Sequence, residues 1–199
     1  MRQLVIATKN KDKVREIKTL LKGLPIKVIP ITTFKDAPNV IEDGKTLEEN
    51  AIKKAKEISA FTNGLALADD SGLEVESLDN RPGVYSSRFA GEGATYKDNN
   101  LKLLRLMEGL PLSKRKALFR CIIAIADKGK IIGVAEGRCR GKIAFRLQGK
   151  AGFGYDPVFI PSGYKTTFAQ LGLKIKNKIS HRSKALLKAK DIIKKYIES

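Results

Sequence analysis

The chain has 199 residues, 42% of them hydrophobic, enough for one large domain with a real core, and no apolar run reaches bilayer-spanning length. A formal net charge of +18 favours anionic partners, with nucleic acid, nucleoside triphosphate and an anionic surface all open, yet no basic tail or arginine-rich arm singles out nucleic acid. Cys121 and Cys139 lack metal-site clustering and the first residues do not form a secretory signal, so a cytoplasmic protein without membrane association is expected.

In chain order, "RQLVIA" predicts a first strand. "TKNKDKVREIKTLLKG" then turns into a helix with Ile17, Leu20 and Leu21 on one side, stopped by Gly23. "IKVIPI" reads as a second strand, and the Pro, Asn and Gly of 32–44 predict an irregular stretch. Thr46 and Glu49 have capping-box spacing ahead of the helix "LEENAIKKAKEISAF". "GLALADDSGLEV" follows as a strand, an acidic corner and a short edge, and "NRPGVYSSRFAGEG" as a loop. Thr95 and Asp98 open a further helix carrying Leu101, Leu104 and Met107. "KALFRCIIAIA" and "KIIGVAEGRC" flank "DKGK", a hairpin signal. "GFGYDPVFIPSGY" is punctuated by Gly and Pro. The last helix runs from Ser180 to Tyr196, with Leu186, Ala189, Ile193 and Tyr196 at helical spacing. The sum is a single mixed α/β domain over 1–199. Its best place for a second lobe is an insertion at 75–150, leaving a cleft suited to a small molecule.

Four stretches carry chemistry. In "ALADDSG", Asp69 and Asp70 face opposite ways on a strand, so one reaches a cleft while the other ties down a loop. Such carboxylates, with phosphate oxygens, suit a hard cation such as Mg²⁺; an Asx-type turn with two solvated acids is the bland alternative. In "ATKNKDK", Thr8 and Asn10 lie where a strand hands over to a helix, an anion-binding position, with Lys13 one turn in; ordinary capping by Asn10 is equally open. In "ISHRS", Ser180 is a good N-cap, and His181 and Arg182 would place basic groups against the helix dipole, as anion binding or base-edge recognition would require; a solvated helix end in a lysine-rich protein is the bland alternative. In "GKAGFGYDP", Phe153 and Tyr155 offer planar faces beside close-approaching glycines, a base-stacking platform or a packed turn.

Together these pieces resemble the inosine triphosphate pyrophosphatase (Ham1-like) family, which acts on non-standard purine triphosphates. The resemblance runs in the family's order through "IATKNKDKVREI", "EDGKTLEENAIKKA", "LADDSGLEV", "RPGVYSSRFAG", "GFGYDPVF" and "KNKISHRSKAL". It implies a two-lobed mixed-sheet α/β fold with the active site between the lobes. It implies Mg²⁺-dependent hydrolysis of ITP, dITP and XTP at the α–β bond to monophosphate and pyrophosphate, and a homodimer without a specific nucleic acid. By the same resemblance Thr8, Asn10 and Lys13 bind the triphosphate, and Glu42 and Asp70 hold the metal. Asp70 also activates water, Lys13 assists, and Ser71 lies on the substrate. Phe153 stacks on the base, and Gly154, Tyr155 and Asp156 continue that wall. Lys176 is a phosphate- or base-proximal lysine, and His181 and Arg182 read the purine. Lys9 stands where a small residue is usual, Gln170 replaces a glutamate, and Leu147 and Gln148 replace proline and arginine. A basic nucleotide- or nucleic-acid-binding module without hydrolase activity is the competing expectation.

Overall fold

The computed structural model describes residues 2–198. Seven strands and five α-helices form among them: β1 (Arg2–Ile6), α1 (Lys11–Leu20), β2 (Ile26–Pro30), α2 (Leu47–Phe61), β3 (Leu65–Val75), β4 (Pro82–Gly83), α3 (Tyr96–Leu106), β5 (Lys116–Asp127), β6 (Lys130–Ile143), β7 (Phe159–Pro161), α4 (Phe168–Ile179) and α5 (His181–Glu198). The hydrogen-bonded strand order is β2-β1-β3-β5-β6-β7, with β4 paired to β3. The mixed α/β expectation holds. No helix among the described residues is long and apolar enough to cross a membrane.

The chain forms two compact units. The first takes residues 1–70, 121–137 and 182–199, the second 71–120 and 138–181. In the first unit, β1 pairs in parallel with β2 and with β3, in register Leu4↔Leu65 and Ile6↔Leu67. Its core gathers Leu4, Ile6, Ile17, Leu67, Ile123, Leu186, Ala189 and Ile193, so the helical repeat read along α5 is its buried stripe. In the second unit, Leu73, Leu103, Met107, Phe119, Phe159 and Phe168 pack together. Its β6–β7 pair is antiparallel, with Gly141 opposite Pro161.

Local signals account for much of this. Lys128 and Gly129 both have positive φ, the conformation of a two-residue primed turn, and join β5 to β6. Thr95 and Asp98 form a reciprocal capping box on α3. Thr46 caps α2 through the Glu49 N–H, but the Glu49 carboxylate accepts from Lys45 N at 2.7 Å, one residue earlier than the capping-box expectation.

Three further expectations are corrected. Residues 65–75 make one continuous strand, with no acidic corner, because both carboxylates find buried partners. On α3 the buried positions are Asn99, Asn100 and Leu103; Met107 is buried just past its end and Leu104 is partly buried, as expected, but Leu101 is exposed. The helix α4 carries little local signal in the sequence, since Gly172 (φ 78°, ψ 170°) interrupts it and three lysines dilute its apolar pattern. Its start is nonetheless a capping box: Gln170 Oε1 accepts from Thr167 N, and Gln170 N donates to Thr167 Oγ1. Glutamine and glutamate serve that motif alike, which explains why Gln170 is accommodated.

Gly141 gives a stability prediction. A Cβ there would overlap the Ile160 carbonyl and lie 2.9 Å from Phe159 Cε1. Gly141→Ala is expected to destabilise the fold by about 1–3 kcal/mol through overpacking at this strand pair. Thermal unfolding checks it; an unchanged Tm would show that β7 shifts freely.

Candidate active site

The parallel order β2-β1-β3 puts a topological switch beside β1, and ligands in open α/β sheets bind beyond the carboxyl ends of strands at such points. The first unit builds its polar cluster there. Ala7 N donates to Leu67 O at 2.8 Å, which sets the end of β1 alongside the acidic pair of β3. Asn10 Oδ1 accepts from Asp12 N and Lys13 N, so its side chain caps α1, and Thr8 Oγ1 accepts from Asn10 N. That cap aims Lys13 at β3, where Nζ lies 3.2 Å from Asp69 Oδ2. Lys9 points out to Asn39, away from this cluster.

Strand alternation sends the two aspartates to different partners. Asp69 is fully buried. Its Oδ2 takes Arg182 Nε and Nη2 at 3.2 and 3.1 Å, and Arg182 Nη1 donates to Glu16 Oε2 at 2.6 Å. Asp70 is 6% exposed, with Oδ1 3.4 Å from Lys54 Nζ and Oδ2 meeting no protein partner. Lys54 Nζ also reaches Glu42 Oε2 at 3.1 Å and the Asp69 carbonyl at 2.8 Å. Glu42 is placed by its loop: Gly44 N donates to Asn50 Oδ1, and a Cβ on Gly44 would collide with that oxygen.

These surroundings drive neighbouring carboxylates apart. Burial alone would raise Asp69, but the charges of Lys13, Arg182 and Lys54 override it and hold the carboxyl well below the usual range. Burial raises Asp70, with Glu42 and Asp69 adding to it against Lys54 and Lys13. Burial would lower Lys54, yet Asp70, Glu42 and Asp69 keep it above its ordinary value. One carboxylate is thus locked anionic as a structural charge, and its neighbour is tuned toward taking a proton.

Among the described residues no three His, Cys, Asp or Glu side chains gather as a metal site. Two carboxylates, Glu42 and Asp70, do converge, and the unpartnered Asp70 Oδ2 suits a hard cation that completes its shell with phosphate and water. Lys13, Lys54 and Arg182 face four carboxylates here, so the cluster is not itself a cationic cradle. A polyphosphate entering it brings more negative charge, which a divalent cation would offset.

The second unit holds the aromatic group. Phe153 is half-buried. Its N–H donates to Asp156 Oδ2 at 2.9 Å, and Lys176 Nζ sits 4.4 Å from its ring centroid. Lys176 and Asp156 form a 2.6 Å ion pair, each 2% exposed at the side chain. Gly152 (φ 78°) leaves no room for a Cβ against that carboxylate. His181 is buried and stacks on Phe119, centroids 4.4 Å apart at 8°. Tyr155 lies in the core with its hydroxyl donating to Ser86 O, and burial raises its phenol. Ser71 follows Asp70 on β3, half-buried.

The structure therefore assembles Thr8, Asn10, Lys13, Glu42 and Asp70 in the first unit, and Phe153, Gly154, Asp156, Lys176 and His181 in the second. Arg182 belongs to the first unit, and its guanidinium is held by Asp69 and Glu16. The base-reading role expected of that side chain does not follow from this geometry. Glu16 and Lys54 went unnoticed in the sequence. A signal existed for Lys54, because Leu47, Ala51, Lys54, Ala55 and Ile58 share one buried stripe of α2, and a lysine on an apolar stripe needs buried acids.

The Ham1 family model matches residues 4–192. A dITP/XTP pyrophosphatase from Desulforamulus reducens is 53% identical over 191 residues, 96% of this chain and 95% of that one. Another from Caldanaerobacter subterraneus subsp. tengcongensis is 49% identical, covering 100% of this chain and 99% of its own. The solved structure of a HAM1 protein from Coxiella burnetii superposes with a TM-score of 0.89 at 40% identity, covering 98% of this chain and all of that one. With these matches spanning nearly every residue of both units, the chain belongs to the Ham1 family.

Proposed function

We propose that this protein hydrolyses dITP, XTP and ITP between the α and β phosphates, removing these purines from the nucleotide pool. The observation that carries the reading is the buried pair Asp69–Asp70, the first ion-paired to Lys13 and Arg182 and the second beside Lys54 with Glu42, in a chain 53% identical to a dITP/XTP pyrophosphatase.

Asp70 takes the proton of the attacking water, whose oxygen bonds to the α phosphorus as the α–β bridging oxygen leaves with pyrophosphate. Lys13 steadies the phosphates from a position fixed by Asp69. Lys54 aligns Asp70 and Glu42. Glu42 and Asp70 would hold Mg²⁺, which offsets phosphate charge and promotes ionisation of water. Phe153 offers the purine a stacking face. Lys176, a donor only, suits an oxygen at purine position 6 and disfavours the amino group of adenine. His181 opens α5 and stacks on Phe119. A cytoplasmic homodimer is part of the same reading, from the family resemblance.

Product analysis tests it. XTP and dITP should give pyrophosphate and monophosphate in equal amounts, ATP should turn over far more slowly, and EDTA should stop the reaction until Mg²⁺ is restored. Orthophosphate as the first product, or equal efficiency on ATP, would overturn the reading.

A further inference from the structure

We propose that Asn100, with Tyr96 one turn before it, is a positioning residue for Phe153, so that α3 sets purine affinity. The proposal rests on Phe153 being the stacking surface. Asn100 is 2% exposed and sits where a helix facing a core would carry an apolar residue. Its Nδ2 donates to Tyr96 O at 2.6 Å and to Gly154 O at 2.8 Å. Both neighbours are carbonyls, so only the amide nitrogen can face them and the orientation is fixed. Oδ1 is left buried without a protein donor, which weakens the fold. Stability alone does not account for an asparagine here.

The reach to Gly154 does account for it. Gly154 has φ 63°, a left-handed turn directly after Phe153. The Phe153 N–H is held by Asp156 and the carbonyl of the next residue by Asn100, so the backbone on both sides of the ring is fixed. The Tyr96 ring lies 5.9 Å from the Phe153 ring at 43°, supporting it from the same helix turn. Neighbouring Asn99 uses the same device on another loop, accepting from Ala90 N and donating to Ser87 O. The first turns of α3 are thus a clamp for two loops, and its buried apolar residues start at Leu103.

A clamp on a stacking ring acts on substrate affinity and leaves the hydrolytic step alone. Asn100→Ala should raise KM for XTP about tenfold while kcat stays within about twofold, the size expected for one buried hydrogen bond. In a Phe153→Ala background the same change should alter KM by less than about twofold, because the two residues act as one unit. A fall in kcat that tracks the folded fraction with KM unchanged would mean a structural role only and overturn the proposal. So would additive effects in the double variant. An unchanged KM in Phe153→Ala alone would remove the stacking reading itself, which separates that failure from a failure of Asn100. If Asn100→Ala does not fold, Tyr96→Ala decides: Tyr96 is 42% exposed, so the variant keeps its core. A KM raised severalfold supports the clamp, and an unchanged KM overturns it.

Discussion

Asp70→Asn is expected to lower kcat by at least about 10²-fold, the scale for losing an acid–base group. Asparagine keeps the shape and can still accept from Lys54, but it cannot take a proton from water. Stability should move the other way. Asp70 is disfavoured as an anion by burial and by Glu42 and Asp69, so removing its charge relieves a strain on the folded state. A Tm equal to or above the parent's, with kcat collapsed, is the expected pair of results. A folded variant with near-parental kcat would remove Asp70 from the chemistry. A large fall in Tm would instead assign it a structural charge like that of Asp69.

Arg182→Ala should show the converse pattern. Its guanidinium lies between the buried carboxylates Asp69 and Glu16, and deleting it removes a buried counter-charge from each. Breaking such a buried arrangement costs about 3–5 kcal/mol. For a chain of this length each kcal/mol is worth about 2–4 °C in Tm, so unfolding should occur roughly 6–20 °C lower. Below that temperature, activity should fall by a similar factor on XTP, ITP, GTP and ATP, because the lesion reaches substrate through Asp69 and Lys13. The measurement is kcat/KM on all four, with Tm beside it. A loss confined to the 6-oxo purines, with Tm unchanged, would instead assign Arg182 the reading of the base.

Part of this site was legible in the sequence. "LADDSG" announced two adjacent carboxylates, and strand alternation implied that they would serve different ends. What each would do was not legible, because the partners are remote: Arg182 lies 113 residues from Asp69, and Lys54 lies 16 from Asp70 on another element. The same holds for "SHR". Its charges against a helix start were visible, but the Phe119 ring under His181 and the two carboxylates around Arg182 come from strands and helices far away.

The sequence by itself determined what short-range physics controls. The caps at Asn10, Thr46 and Thr95, the Lys128–Gly129 turn and the apolar stripe of α5 follow from side chains reaching their own backbone or repeating at helical period. Only the tertiary structure decided what depends on burial. It made β3 one continuous strand through Asp69 and Asp70, made Lys54 and Glu16 members of the site, and gave α3 a polar face turned inward. A buried charge or amide is tolerated only when its partner is in place, and that partner is fixed by the packing of the whole unit, beyond the reach of any local window.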